Sequence, residues 1–582
     1  MIVFCSFSFV LSTQKPLDFL LIQRITSLWV RADTPAPMIC GRLIRPVNSS
    51  LPLSDVDGIF TAIHFVIYVI FFGKLPDLPN CMEATIEKPD SQPTLFGHPI
   101  GLFVLFFTEM WERFSYYGMR AILLLFLIDT VRGGMGLNES EGAAIYGIYT
   151  ASVYLLSLPG GWIADNILGQ RKSIWYGGWI IMLGHIILAF PAGPGLFYAG
   201  LCTVAMGTGL LKPNISSVVG ELYPEGGARK DSAFSIFYMG INLGSLLGIS
   251  IVGFLGQRVG WHYGFGAAAV AMALGLITFR LFGQRYLGNY GNYVAQPITG
   301  NGKSSVGNRS LLAFLAVIVV LLATLQLTAV IDMTTAQGLA QAMGAIISLI
   351  AVGYFIYILS AGGLDTVEKK RLAVLFTFFL ASALFWAGNE QQGSSLQIFA
   401  DRYTDLNLLG WEVPSSWFQN MNSAFILIFS PVLASLWIFL ANRKINFPVP
   451  AKFATSLLLL GMGYVVMVIA SKLALTGTRT SPLYLVFTYL FITLGELFLS
   501  PVGLSAFSKL SPKRYTSQLM GLWFVGTSLG NLIAGLFAGG FDEKNVHQMP
   551  ELFQSVAYFG LGAGLLMLIF VKPLKKWMGG IQ

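Results

Sequence analysis

The sequence predicts an all-α integral membrane protein, and three observations carry that reading. Over 582 residues the chain is 55% hydrophobic and 11% charged, with a mean hydropathy of +0.68, outside the range of soluble globules. Its apolar residues fall in repeated runs of about 20, the length a helix needs to cross roughly 30 Å of hydrocarbon. The runs are continuous rather than alternating, which excludes a transmembrane barrel.

From Gly101 onward fourteen spans are expected, near residues 101–128, 143–163, 173–191, 196–219, 233–256, 263–283, 311–331, 338–361, 372–395, 417–441, 453–472, 482–507, 517–540 and 552–571. Lys and Arg cluster in alternate connections: Arg171 and Lys172, Arg229 and Lys230, Lys303 and Arg309, Lys369 to Arg371, Arg443 and Lys444, Lys513 and Arg514, and Lys572 to Lys576. The positive-inside rule makes that side the cytoplasm and puts both ends of the membrane body there, in a cell (inner or plasma) membrane. Several opposite connections carry acids, as at Asp401, Asp405, Asp542 and Glu543. The formal charge of +8 therefore reports topology rather than a nucleic-acid surface, whose cations would share one face.

Residues 1–96 read as an extension and cytoplasmic tail outside the fold. Pro is scattered there, and the one apolar stretch, Ile59 to Gly73, is short for a span. No basic lead or cleavage site marks a secretory signal. Three of the four cysteines, Cys5, Cys40 and Cys81, lie in this extension and Cys202 stands alone, so neither a disulfide framework nor a metal site is expected.

The first span holds Glu109, Glu112, Arg113, Tyr116, Tyr117 and Arg120. At 100° per residue, positions 109, 112, 113, 116 and 120 share one narrow face. Each mid-membrane charge costs about 2.5–3.5 kcal/mol on insertion scales, so a stripe of four demands partners or a water-filled cavity. Internal salt bridges that only fasten helices are the plainer explanation, but buried ion pairs are poor stabilisers. A path for substrate and protons is favoured.

Single ionisable residues interrupt three other spans: Lys212 in the fourth, Glu390 in the ninth and Glu496 in the twelfth. Setting aside the two spans between 311 and 361, the chain reads as two six-helix bundles, 97–288 and 369–582, the second ending in a cytoplasmic tail. Residues 289–368 supply a cytoplasmic linker and two extra helices. Lys212 and Glu496 then occupy corresponding helices, each broken by Gly and Pro, the best sequence pointer to a carrier's midplane site. The plainer alternative is a kink with a snorkelling head group, more natural for Lys212 than for Glu496.

The first bundle supplies Arg113 and Lys212, the second Glu390 and Glu496. A cavity cationic on one side and anionic on the other suits a short zwitterion. Asn242 and Asn422 can both donate to and accept from a peptide backbone, although interhelical bonding is nearly as good an account of either. Gly240, Gly244 and Gly248 recur every four residues and are read as close helix packing.

Several stretches are similar to a known family. Glu109-Met-Trp-Glu-Arg-Phe-Ser-Tyr-Tyr-Gly118 resembles the first-helix signature of the proton-dependent oligopeptide transporter family, within the major facilitator superfamily, and Phe237-Tyr-Met-Gly-Ile-Asn-Leu-Gly-Ser-Leu246 looks like its fifth-helix signature. Gly161 to Lys172 is similar to the superfamily's loop between helices 2 and 3, and Glu390-Gln391, Gly495-Glu496-Leu497 and Ser500-Pro501 also match. The resemblance runs from about Gly97 to Lys576, and two extra central spans are what bacterial members look like.

The resemblance implies a major facilitator fold and a proton-coupled symporter importing di- and tripeptides by alternating access, with no cofactor, acting as a monomer. It implies that Arg113 and Lys212 hold the peptide carboxylate, Glu496 its amino terminus, and Asn242 and Asn422 its backbone. Tyr116, Tyr117, Tyr154, Trp386 and Trp523 would line side-chain pockets. Glu109, Glu112 and Glu390 would take part in proton coupling, with Arg120 pairing Glu390 on the outer side and Lys212 pairing Glu496 on the inner side. Asn422 is followed by Ser423 where many members carry Pro.

Relatives that carry nitrate or other anions are the main rival, but an anion without an ammonium gains nothing from Glu496. No enzyme is expected: His64, His98, His185, His262 and His547 lie near no plausible Ser or Cys nucleophile and lack metal-ligand spacing. A passive channel would leave the acid and base pairs unexplained.

Overall fold

The structure is a computed structural model that describes residues 93–292 and 324–580, apart from short stretches at 192, 225–226, 329, 409, 444–446, 513–514 and 540–547. Its helices are α1 Ile100–Ile128, α2 Glu139–Leu155, α3 Ser157–Ile163, α4 Gln170–Ala189, α5 Pro194–Glu221, α6 Gly227–Phe254, α7 Trp261–Tyr286 and α8 Ala336–Ala361. They continue with α9 Thr366–Asn389, α10 Ser395–Tyr403, α11 Asn420–Asn442, α12 Val449–Ala474, α13 Leu483–Leu510, α14 Thr516–Ala538 and α15 Met549–Trp577. Eleven of the described helices are long and apolar enough to cross a membrane. At 29 residues, α1 spans roughly 43 Å at 1.5 Å per residue and differs from them in carrying its four charged residues, Glu109 to Arg120, in its middle rather than at its ends.

Every expected span but the seventh coincides with a described helix. The seventh, 311–331, falls largely outside the described residues. Two spans differ in kind from the expectation. The second breaks at Leu156, where α2 gives way to α3. The ninth, expected to run to 395, stops at Asn389, and Glu390–Gly393 form a three-ten turn before α10.

Local chemistry sets the boundaries. Asn138 caps α2 by accepting from the Glu141 N–H at 2.8 Å. Asp365 caps α9, and Glu368 returns the bond to the Asp365 N–H in a capping box. Gly169 and Gly193 turn between helices at φ 78° and 88°, a region other residues rarely adopt. Pro213 in α5 and Pro501 in α13 each remove a backbone donor close to Lys212 and Glu496.

Helix α1 packs against α6 and α7, and α4 against α5 and α7; in the second half α12 packs against α13 and α15, and α9 against α14. The glycine repeat of α6 faces α1. A Cβ on Gly240 would sit 2.8 Å from the Phe106 ring, while one on Gly244 or Gly248 would collide with the carbonyl oxygen of Met110 or Phe114. Only bare backbone allows that approach. The halves meet where α2 lies on α14 and α6 on α11, and α8 touches both α2 and α14.

Bonds across this seam crowd toward the ends of α6 and α11 that flank Arg258 and Glu412. Ser423 donates to Ser245 at 2.9 Å, Asn420 to the Ser250 hydroxyl at 2.9 Å, and Trp417 Nε1 to the Ser250 carbonyl at 3.0 Å. Further along, Gln257 donates to Ser415 at 2.8 Å and Arg258 reaches Glu412 at 3.2 Å. Ser423 thus supplies a hydroxyl to the seam.

Candidate functional site

The polar stripe of α1 is buried: Glu109, Glu112, Arg113 and Tyr116 are 2% exposed or less. Arg113 Nε lies 3.1 Å from Glu109 Oε1 and also bonds Glu112 Oε2. The Arg113 guanidinium stands 5.1 Å from the Tyr116 ring centre and 5.9 Å from that of Tyr117, in cation–π range. From α5, Lys212 Nζ sits 3.9 Å above the Tyr154 ring. One cluster therefore gathers two carboxylates and two cations.

Glu496 on α13 has different company. Its Oε2 accepts from Asn422 Nδ2 at 2.9 Å and from Asn389 Nδ2 at 3.2 Å. Asn422 also lies 3.1 Å from Thr493 Oγ1, and Gln392 donates to Asn389 Oδ1. The pairing of Lys212 with Glu496 that the family resemblance implied is not made in this structure: Lys212 lies against Tyr154 and Glu496 against amides.

Arg120, one end of the stripe, reaches across the seam. Its Nη2 bonds Glu390 Oε2, and its Nε donates to Tyr146 Oη at 2.6 Å. A second pair spans the halves at the same end, Arg402 with the buried Glu139. Beside it a cavity of about 360 Å³ is lined by Asp129, Arg132, Asn138, Asp401 and Arg402, among others. At this mouth, burial opposes ionisation of Asp129, but bonds from Trp261 and from the N–H groups of Val131 and Arg132 outweigh it and hold the carboxyl below its usual range.

The remaining expected residues are less clearly aimed. Asn242 donates to the Tyr238 carbonyl of its own helix at 3.0 Å. Trp523 is buried, its ring centre 5.3 Å from that of Phe507, with Gly503 pressed against it. Trp386 is partly buried, and its Nε1 has no hydrogen-bond partner among the described residues; the same is true of Glu109 Oε2, Glu112 Oε1, Arg113 Nη2 and Tyr116 Oη. Buried polar atoms without partners are uncommon, so these are groups a ligand can satisfy. Sequence reasoning did not single out Asn389, Thr493, Tyr146, Glu139 or Arg402; an amide beside Glu390 was the one available hint.

The POT family profile matches residues 171–553, well over half of the chain and including Lys212, Asn242, Glu390, Asn422 and Glu496. The chain belongs to the POT family. It is similar to the peptide transporter YePEPT of Yersinia enterocolitica, 39% identical over 86% of this chain and 99% of that protein. It is also similar to a di-/tripeptide transporter of Lactococcus lactis subsp. cremoris, 34% identical over 84% of this chain and 99% of that protein. A crystal structure of a peptide transporter POT in complex with sulfate superposes with a TM-score of 0.76 at 39% identity, covering 84% of this chain and 98% of the other. This POT-family chain is thus a multi-pass helical carrier with the major facilitator fold.

Proposed function

We propose that the chain imports di- and tripeptides by proton-coupled symport, with alternating access about the seam between its halves. Peptide transport is named for relatives that match over nearly their whole length. The observation that carries the reading to particular atoms is Glu496, a buried acid held by two amides on the half opposite Arg113 and Lys212. A peptide's ammonium fits the first group and its carboxylate the second, and the unpartnered atoms of Tyr116 and Trp386 suit what lies between.

Arg120–Glu390 serves as an outer latch that protonation of Glu390 releases. Lys212 and Glu496 serve the inner side, where they would meet when the basic end closes. The basic end faces the cytoplasm of the cell membrane, and one chain suffices for transport. Uptake of a labelled dipeptide into proteoliposomes tests this directly: accumulation is expected with an imposed proton gradient and absent without it. Uptake that ignores the gradient, or a saturable preference for nitrate over dipeptide, would overturn the reading.

A further inference from the structure

We infer that the basic end of the second half binds an anionic phospholipid, at the place where α15 ends beside the start of α9. On α15, positions 558, 562, 565, 569, 572 and 576 follow one another at intervals of four and three, so they share one face. Tyr558, Leu565 and Ile569 are 65%, 55% and 73% exposed. Between them, a Cβ on Gly562 would meet nothing within 4 Å, which leaves a notch in the stripe. An acyl chain lies naturally along such a face.

The stripe runs into Lys572 and Lys576, with Lys575 and Trp577 beside them, all exposed. Trp at that level suits the boundary between hydrocarbon and head groups. The start of α9 adds exposed Lys369 and Lys370 and is fixed against α15, since Arg371 Nε donates to the Met578 carbonyl at 3.3 Å. The acids of that turn, Asp365 and Glu368, are engaged in the capping box. None of the five lysines has a carboxylate among the ion pairs of the described residues. Cations near a helix N-terminus are also opposed by its dipole. A phosphate head group relieves both the mutual repulsion and the unfavourable end of the helix, while its acyl chains occupy the stripe.

Topology signalling alone would leave these lysines indifferent to which phospholipid surrounds them. The test takes full-length protein from vesicles of equal phosphatidylglycerol and phosphatidylcholine and counts retained lipids by native mass spectrometry. Wild type is expected to keep phosphatidylglycerol preferentially. A variant with Lys369, Lys370, Lys572, Lys575 and Lys576 each changed to Gln loses the preference, by about fivefold per lysine, while its melting temperature and dipeptide uptake in phosphatidylcholine alone match wild type. Equal retention of the two lipids by wild type, or undiminished preference in the variant, would sink the inference. So would a doubled particle mass that Ile569→Asn abolishes without changing lipid retention, since the stripe would then be a face between two copies.

Discussion

The two ends of the candidate site hold carboxylates in opposite circumstances. Around α1 and α5, Glu109 and Glu112 are paired with Arg113, with Lys212 on the adjoining Tyr154, so the cluster holds as many basic as acidic side chains. Around α13, Glu496 is held by Asn389 and Asn422, which satisfy its hydrogen bonds without neutralising it. The first cluster balances its formal charges but leaves Glu109 Oε2, Glu112 Oε1 and Arg113 Nη2 without partners among the described residues, while on the proposed reading the second waits for a cation. Amides cost nothing in charge and so leave the acid's attraction undiminished for an arriving ammonium.

That contrast can be broken most severely at Lys212. Lys212→Ala leaves two buried acids facing Arg113 alone, and removing one member of a buried charge set costs about 3–5 kcal/mol. Gradient-driven uptake should fall below detection, and wild-type rates would remove Lys212 from the site. Glu390→Gln leaves both clusters intact but fixes the charge at the latch. The variant should exchange bound peptide across the membrane yet fail to concentrate it, because a proton shifts open and closed states only by its differential affinity, about 1.4 kcal/mol per unit of pKa difference. Should it still accumulate peptide uphill, Glu109 or Glu112 becomes the better coupling group.

A smaller effect sharpens the amide end. Asn389→Ala removes one donor to Glu496, and a hydrogen bond to a charged group contributes about 1.5–3 kcal/mol. The KM for dipeptide should rise about tenfold or more while the maximal rate changes less. An unchanged KM would show that this bond has no part in binding. The least effect is expected from starting the chain at Met82, since every residue of both clusters lies beyond it. Lost uptake in a properly inserted shortened protein would give residues 1–81 a role.

The spans were legible because insertion into lipid is a local matter: twenty apolar residues and a basic flank determine it whatever the rest of the chain does. The single charges Lys212, Glu390 and Glu496 stood out for the same reason, against an apolar background. Asn389 did not, because a neutral amide costs too little to look anomalous. Glu139 and Arg402 sit at helix ends, where a charge reads as solvated, and their pairing joins positions far apart in sequence. The stop of α9 at Asn389 was missed although Glu390 to Ser395 carries no apolar side chain, because Glu390 was read as a lone charge inside a continuing span rather than as the end of the helix.

That stop has a mechanical consequence. Asn389 and Glu390 are consecutive, yet one reaches Glu496 and the other Arg120, since neighbours in a tight helical turn point well apart. A twist of this one turn that frees Glu390 must swing Asn389 with it. On the proposed reading, the part that senses cargo and the part that bars the door would then be two arms of a single crank, one peptide unit long, and no signal would have to cross the protein for one to move the other.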